Sequence, residues 1–68
     1  MNNYQERLRI GQMIKQMRES SNISLEELAK RADITPGHLD RIEAGKYNVR
    51  LDQLGNITNA LNKKIYIA

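Results

Sequence analysis

At 68 residues the chain is one domain's worth, near the lower size at which a single apolar core holds a fold unaided. It contains no Cys, Trp or Phe, so neither disulfides nor a cysteine-based metal site can supplement the core, and stability must come from packed aliphatic helices or a partner subunit. Eleven Lys and Arg against eight Asp and Glu leave a formal charge of +3, a mild basic excess that suits a polyanionic partner but is shared by many proteins that bind none.

The opening segment carries Glu6, Arg7 and Arg9 without an apolar run, so no signal peptide is expected, and no segment reaches the length that spans a bilayer. A cytoplasmic location is expected. Without a secretory signal, the glycosylation-like triplets Asn22-Ile23-Ser24 and Asn56-Ile57-Thr58 are coincidental.

Ile10, Met13, Ile14 and Met17 recur at the spacing that lines one helix face, and a first helix is expected from about Tyr4 to about Ser20. Ser20-Ser21-Asn22 ends it, because Ser and Asn compete for backbone hydrogen bonds and Asn tolerates the left-handed conformation of a helix stop. Ser24-Leu25-Glu26-Glu27 then fits the capping-box pattern, in which the serine hydroxyl accepts from the Glu27 amide while that carboxylate returns to the Ser24 amide. A short second helix starts there, with Leu25, Leu28 and Ala29 inward and an end near Ala32-Asp33.

Thr35-Pro36 opens a third helix, since Thr caps well and Pro at the first helical position lacks a donor that would go unpaired anyway. Leu39 and Ile42 face inward, and Ala44-Gly45 closes the helix, Gly tolerating a positive φ. After the polar loop Lys46-Tyr47-Asn48-Val49-Arg50, the residues Leu51, Leu54, Ile57 (or Thr58) and Leu61 mark a fourth helix, with Gly55 as its weak point. In the tail, Ile65 and Ile67 alternate with Lys64 and Tyr66, a strand-like pattern over about residues 64–68. The chain reads as a single domain over 1–68, without repeat, linker or low-complexity stretch.

Two short helices joined tightly form the arrangement in which the second enters a DNA major groove while the first lies across the backbone, although helix pairs as such are common. Here the residues resemble a family. Ile23-Ser24-Leu25-Glu26-Glu27-Leu28-Ala29, followed by Ile34-Thr35-Pro36-Gly37-His38-Leu39-Asp40-Arg41-Ile42-Glu43-Ala44-Gly45-Lys46, resembles the Cro/C1-type (Xre family) helix-turn-helix. The resemblance runs from about Leu8 to Leu61 and joins a capping serine, a core Leu-Ala, a fixed gap and an Ile-Glu-x-Gly-Lys ending. It implies an all-α, lambda repressor-like bundle of four to five helices that binds double-stranded DNA as a transcriptional regulator, a repressor on this reading.

The resemblance places Thr35, Pro36, Gly37, His38 and Arg41 on the recognition helix, about residues 35–44, with Asp40 beside them. Arg41 can donate two hydrogen bonds to guanine O6 and N7, the alternative being a solvated or phosphate-bound arginine. His38 is either a donor to base or phosphate or simply an exposed ring. Thr35 can meet a thymine methyl or a phosphate, though capping alone accounts for it. Pro36 and Gly37 depart from relatives that carry long polar side chains there and cannot read a base edge, which shifts part of the specificity to DNA shape or shortens the consensus. Leu25 departs where relatives commonly carry Gln for a backbone contact. Ser24, Lys46, Tyr47, Asn48 and Arg50 are the candidate phosphate contacts, the alternative for the loop being an ordinary polar connection, while Glu6, Arg7, Arg9, Lys15, Glu19 and Lys30 read as solvated surface, with a flanking phosphate as the alternative for Arg7 or Arg9. Arg18 and Glu43 match positions that pair between the first and third helices in the family, a structural ion pair.

An isolated strand leaves its backbone groups unpaired, so Ile65, Tyr66 and Ile67 are expected to pair with the same strand of a second subunit, giving a two-fold homodimer on a palindromic operator; the alternatives are a strand folded on its own domain or a frayed end. A different reading of the chain is a protein-interaction module, such as an antitoxin that binds a toxin and uses DNA for autoregulation. An enzyme is not expected. Gly45-Lys46 lacks the rest of a phosphate-binding loop, there is no Gly-x-Gly-x-x-Gly, His38 is the one histidine, and no nucleophile has a base placed by motif. No cofactor or metal is implied.

Overall fold

The computed structural model describes residues 4–62, which form four helices: α1 (Tyr4–Ser20), α2 (Leu25–Arg31), α3 (Pro36–Glu43) and α4 (Leu51–Ala60). The strand-like tail, with Ile65, Tyr66 and Ile67, lies outside the described residues. The starts of α2 and α3 and the ends of the first three helices have reasons written locally. Ser24 is the N-cap of α2, its hydroxyl accepting from the Glu27 amide at 3.0 Å, and Thr35 caps α3 by accepting from the His38 amide at 3.1 Å, with Pro36 as the first helical residue.

The capping box at Ser24 is only half formed. The Glu27 carboxylate does not return to the Ser24 amide but accepts from Arg31 Nε at 2.9 Å, because a cation one turn along the helix offers a charge-assisted partner that a backbone amide does not match. At the other ends α1, α2 and α3 close alike. Asn22 (φ 56°), Asp33 (φ 60°) and Gly45 (φ 75°) turn left-handed, and the next residue's amide reaches back into the helix: Ile23 to the Arg18 carbonyl, Ile34 to that of Ala29, Lys46 to that of Arg41.

The helices bury one cluster made of Ile14, Leu28, Ala29, Ala32, Leu39, Ile42, Ile57 and Leu61. Ile57 and Thr58 are both inside, and the Thr58 hydroxyl donates to the Gly55 carbonyl at 3.1 Å, which meets its polar atom. Two apolar side chains expected on the inner face point outward. Met13 remains 43% exposed, because α1 packs along a line through Gly11, Ile14 and Arg18, and Met13 sits about 100° around the helix from Ile14. Leu51 remains 63% exposed, in the first turn of α4 and about 120° around from the buried Ile57.

Two glycines let α1 approach the end of α3. A Cβ on Gly11 would meet the backbone carbonyl oxygens of Ile42 and Glu43, the second at 2.7 Å. A Cβ on Gly45 would lie 2.8 Å from Leu8 Cα, at a residue that also needs positive φ. Arg7 completes the junction by donating from Nε to the Gly45 carbonyl at 3.3 Å. The recognition helix candidate is therefore held by backbone-to-backbone contact with α1 at its C-terminal end and by α2 along its inner face.

Candidate nucleic-acid interface

Helix α3 divides cleanly. Leu39, Ile42 and Glu43 are buried, whereas Gly37, Asp40, Arg41 and Ala44, at the i, i+3, i+4, i+7 spacing of one helix face, are all exposed. Among the described residues Arg41 makes no ion pair, so its guanidinium is available to an outside acceptor. Thr35 and Ser24 use their hydroxyl oxygens to cap helices, and each keeps its O–H hydrogen to donate elsewhere.

The loop after α3 is less uniform than its polar composition suggests. Lys46 and Asn48 are exposed, and Lys46 makes no ion pair among the described residues. Tyr47 is half-buried, packs against the core, and meets the His38 ring edge to face at a centroid distance of 4.3 Å and an interplanar angle of 66°. Arg50 is the N-cap residue of α4 and has no acceptor with which to cap. Instead Asp52 Oδ1 accepts from the Gln53 amide at 2.9 Å, and Gln53 Oε1 accepts from the Arg50 amide at 3.4 Å. The Arg50 guanidinium reaches Asp52 Oδ2 at 3.3 Å, an exposed pair that holds the arginine only weakly.

Behind this surface Arg18 and Glu43 meet through Nε to Oε2 at 2.8 Å and Nη2 to Oε1 at 3.2 Å, while Arg18 Nη1 donates to the Ile23 carbonyl at 3.1 Å. The side chains are 13% and 6% exposed. The hydrogen bond to Glu43 raises the arginine's pKa further above its ordinary value, against the opposing effect of burial. The pair thus fixes the end of α3 to the end of α1. Of the two remaining basic candidates, Arg9 is held by Glu6 at 2.7 Å and Arg7 by Gly45.

Three features of the site have little sequence signal: the backbone contact at Gly11, the Tyr47–His38 ring pair, and Gln53 Nε2 at 3.5 Å from His38 Nε2. Each joins residues from separate elements. Among the described residues no group of three or more His, Cys, Asp or Glu is arranged to hold a metal ion, and no helix is long and apolar enough to cross a membrane.

A helix-turn-helix family model matches residues 14–67. Control protein C.BamHI of Bacillus amyloliquefaciens is 43% identical over 56 residues, which cover 81% of this chain and 69% of that protein. Among solved structures, the clp gene regulator ClgR from Corynebacterium glutamicum superposes with a TM-score of 0.85 at 27% identity, over 87% of this chain and 76% of that one. The restriction-modification controller protein C.AhdI from Aeromonas hydrophila gives a TM-score of 0.90 over 94% and 93% of the two chains at 23% identity, a likeness of fold. With its exposed α3 stripe and capped α2–α3 turn, the chain belongs to the Cro/C1-type (Xre) helix-turn-helix family of DNA-binding transcription regulators.

Proposed function

We propose that this chain is a sequence-specific regulator of the restriction-modification controller kind, a repressor that binds a palindromic operator as a homodimer. The observation that carries the reading is the stripe Gly37, Asp40, Arg41 and Ala44, which turns outward from a helix whose other side is locked into the core. A rod of this kind enters the major groove, where base edges are distinguishable. The likeness to a control protein and a gene regulator favours this reading over a module whose main task is to bind a partner protein.

In the proposed complex Arg41 donates both guanidinium N–H groups of one edge to guanine O6 and N7, and Thr35 and His38 meet bases nearer the start of α3. Ser24, Lys46, Tyr47, Asn48 and Arg50 contact phosphates on either side and set the register of the helix. Arg50 exchanges its weak bond to Asp52 for a phosphate oxygen. Because Pro36 and Gly37 offer no reading side chain, one subunit specifies few base pairs. Doubling the site by two-fold symmetry, with recognition helices about 34 Å apart, supplies the missing information.

Selection of bound duplexes from a random pool, at two salt concentrations, tests this. A palindromic consensus whose half-sites lie one helical turn apart is expected. Retention of duplexes without any common sequence at either salt concentration would reduce the protein to a non-specific polyanion binder.

A further inference from the structure

The His38 ring is held from two sides. Tyr47 packs against it at 4.3 Å between centroids, and the Gln53 side-chain nitrogen lies 3.5 Å from its Nε2. The orientation of the Gln53 amide is not arbitrary, because its oxygen faces the Arg50 backbone N–H at 3.4 Å. That leaves the NH2 end toward the imidazole. An amide nitrogen only donates, so Nε2 can only accept, and a neutral ring accepting at Nε2 carries its proton on Nδ1. A neutral imidazole in water prefers the opposite tautomer, with the proton on Nε2.

From this we infer that Gln53 is a positioning residue for DNA reading: it fixes His38 as the Nδ1–H tautomer, so that the ring meets the duplex as a hydrogen-bond donor. The inference rests on the DNA-reading role proposed for α3, and adds a residue of α4 that sets what α3 can read. Through Nδ1–H a neutral His38 accepts no bond from cytosine N4 but can donate to guanine N7 or O6, adenine N7, thymine O4 or a phosphate oxygen. Gln53 would thereby control specificity without touching a base. The chain of contacts runs from the Arg50 amide through the Gln53 amide to the His38 ring, with Tyr47 as the wall behind it.

The test has two arms. In the free, full-length protein, nitrogen NMR of the histidine ring at about pH 8.5, where imidazoles are uncharged, reports which nitrogen bears the proton. Wild type is expected to show Nδ1 protonated and Nε2 bare. Gln53→Glu keeps an oxygen for the Arg50 amide but offers Nε2 an acceptor, and Gln53→Leu offers nothing; in both, Nε2 is expected to gain a proton. In the second arm a pool of randomised duplexes is selected by each protein. One position per half-site is expected to lose about fivefold of its base preference in both variants, the weight of one hydrogen bond, with the other positions unchanged.

A wild-type ring already protonated on Nε2 overturns the inference, as does a tautomer or a consensus that is the same in all three proteins. If wild type selects no duplex, the DNA reading itself falls. The NMR arm then decides separately whether Gln53 sets the tautomer.

Discussion

The Arg18 guanidinium meets the Glu43 carboxylate in two hydrogen bonds, from Nε and Nη2 to separate oxygens, gives Nη1 to the Ile23 carbonyl, and so ties together the end of α1, the turn before α2 and the end of α3. Both side chains are largely out of water. Removing one partner strands a buried charge, and Arg18→Met or Glu43→Gln is expected to cost about 3–5 kcal/mol of folding free energy, read from the urea midpoint. The double variant Arg18→Met with Glu43→Met is expected to recover much of that loss. If each single change costs less than about 1 kcal/mol, the pair does not hold these elements together.

Glycines that look alike in the sequence should respond in opposite ways. Gly11→Ala forces a methyl group against backbone carbonyls that cannot yield separately, and a loss of about 1–3 kcal/mol or more is expected. Gly45→Ala adds the strain of a left-handed alanine to contact with Leu8. Gly55 has open space where a Cβ would stand, in the interior of α4, so Gly55→Ala should stabilise the fold by about 0.5–1 kcal/mol. Thermal unfolding of the three variants checks the ordering.

On the proposed reading, Arg41 and Lys46 divide base reading from phosphate gripping. Arg41→Ala is expected to cost about 1–3 kcal/mol on the selected operator and to relax preference at one base pair. Lys46→Ala should weaken binding to every duplex alike and flatten the plot of log affinity against log salt by about one unit. A titration series over salt, run on the selected and a scrambled duplex, distinguishes the two behaviours; an unaltered slope removes Lys46 from the set of phosphate contacts.

The proposed dimer is tested by deleting residues 65–68 and measuring mass by analytical ultracentrifugation. Loss of the dimer is expected if Ile65, Tyr66 and Ile67 form its joint. A dimer that survives the deletion places the joint elsewhere.

At the exposed end of α1 the Arg9 side chain, chiefly by its hydrogen bond and then by its charge, holds the Glu6 carboxyl below its ordinary value of 4.5. A carboxyl lowered on folding stabilises above its unfolded value, and the benefit is lost as the pH falls through the folded one. Glu6→Gln should therefore lower the melting temperature slightly at neutral pH in dilute salt, and make no difference in acid. Full exposure means that about 1 M salt should abolish the effect too; a difference that persists there would point to something other than charge.

The sequence displays its helix boundaries because they are local. Ser24, Thr35-Pro36 and Gly45 act on amides and carbonyls within a few residues, and those elements are legible from one stretch of chain. Gly11 is not legible. In a helical pattern it reads as a weak spot, and its reason lies in carbonyls of Ile42 and Glu43 that arrive only with the tertiary fold. Met13 and Leu51 fit the apolar spacing, but the line along which a helix docks is set by its neighbours, and both fall beside that line. Glu27 had two partners within reach, and spacing alone does not rank Arg31 above the Ser24 amide. The tie between Gln53 and His38 crosses from one helix to another through side chains of ordinary type, which leaves no pattern to recognise.

The division of α3 into a locked side and an open side has a consequence for change over time. Leu39, Ile42 and Glu43 carry its attachment, while Gly37, Asp40, Arg41 and Ala44 bear none of it. Exchanges at these four positions leave the scaffold's energy almost untouched. On the proposed reading, a lineage or an engineer can therefore alter part of the DNA-facing surface, Arg41 included, without disturbing the core beneath it.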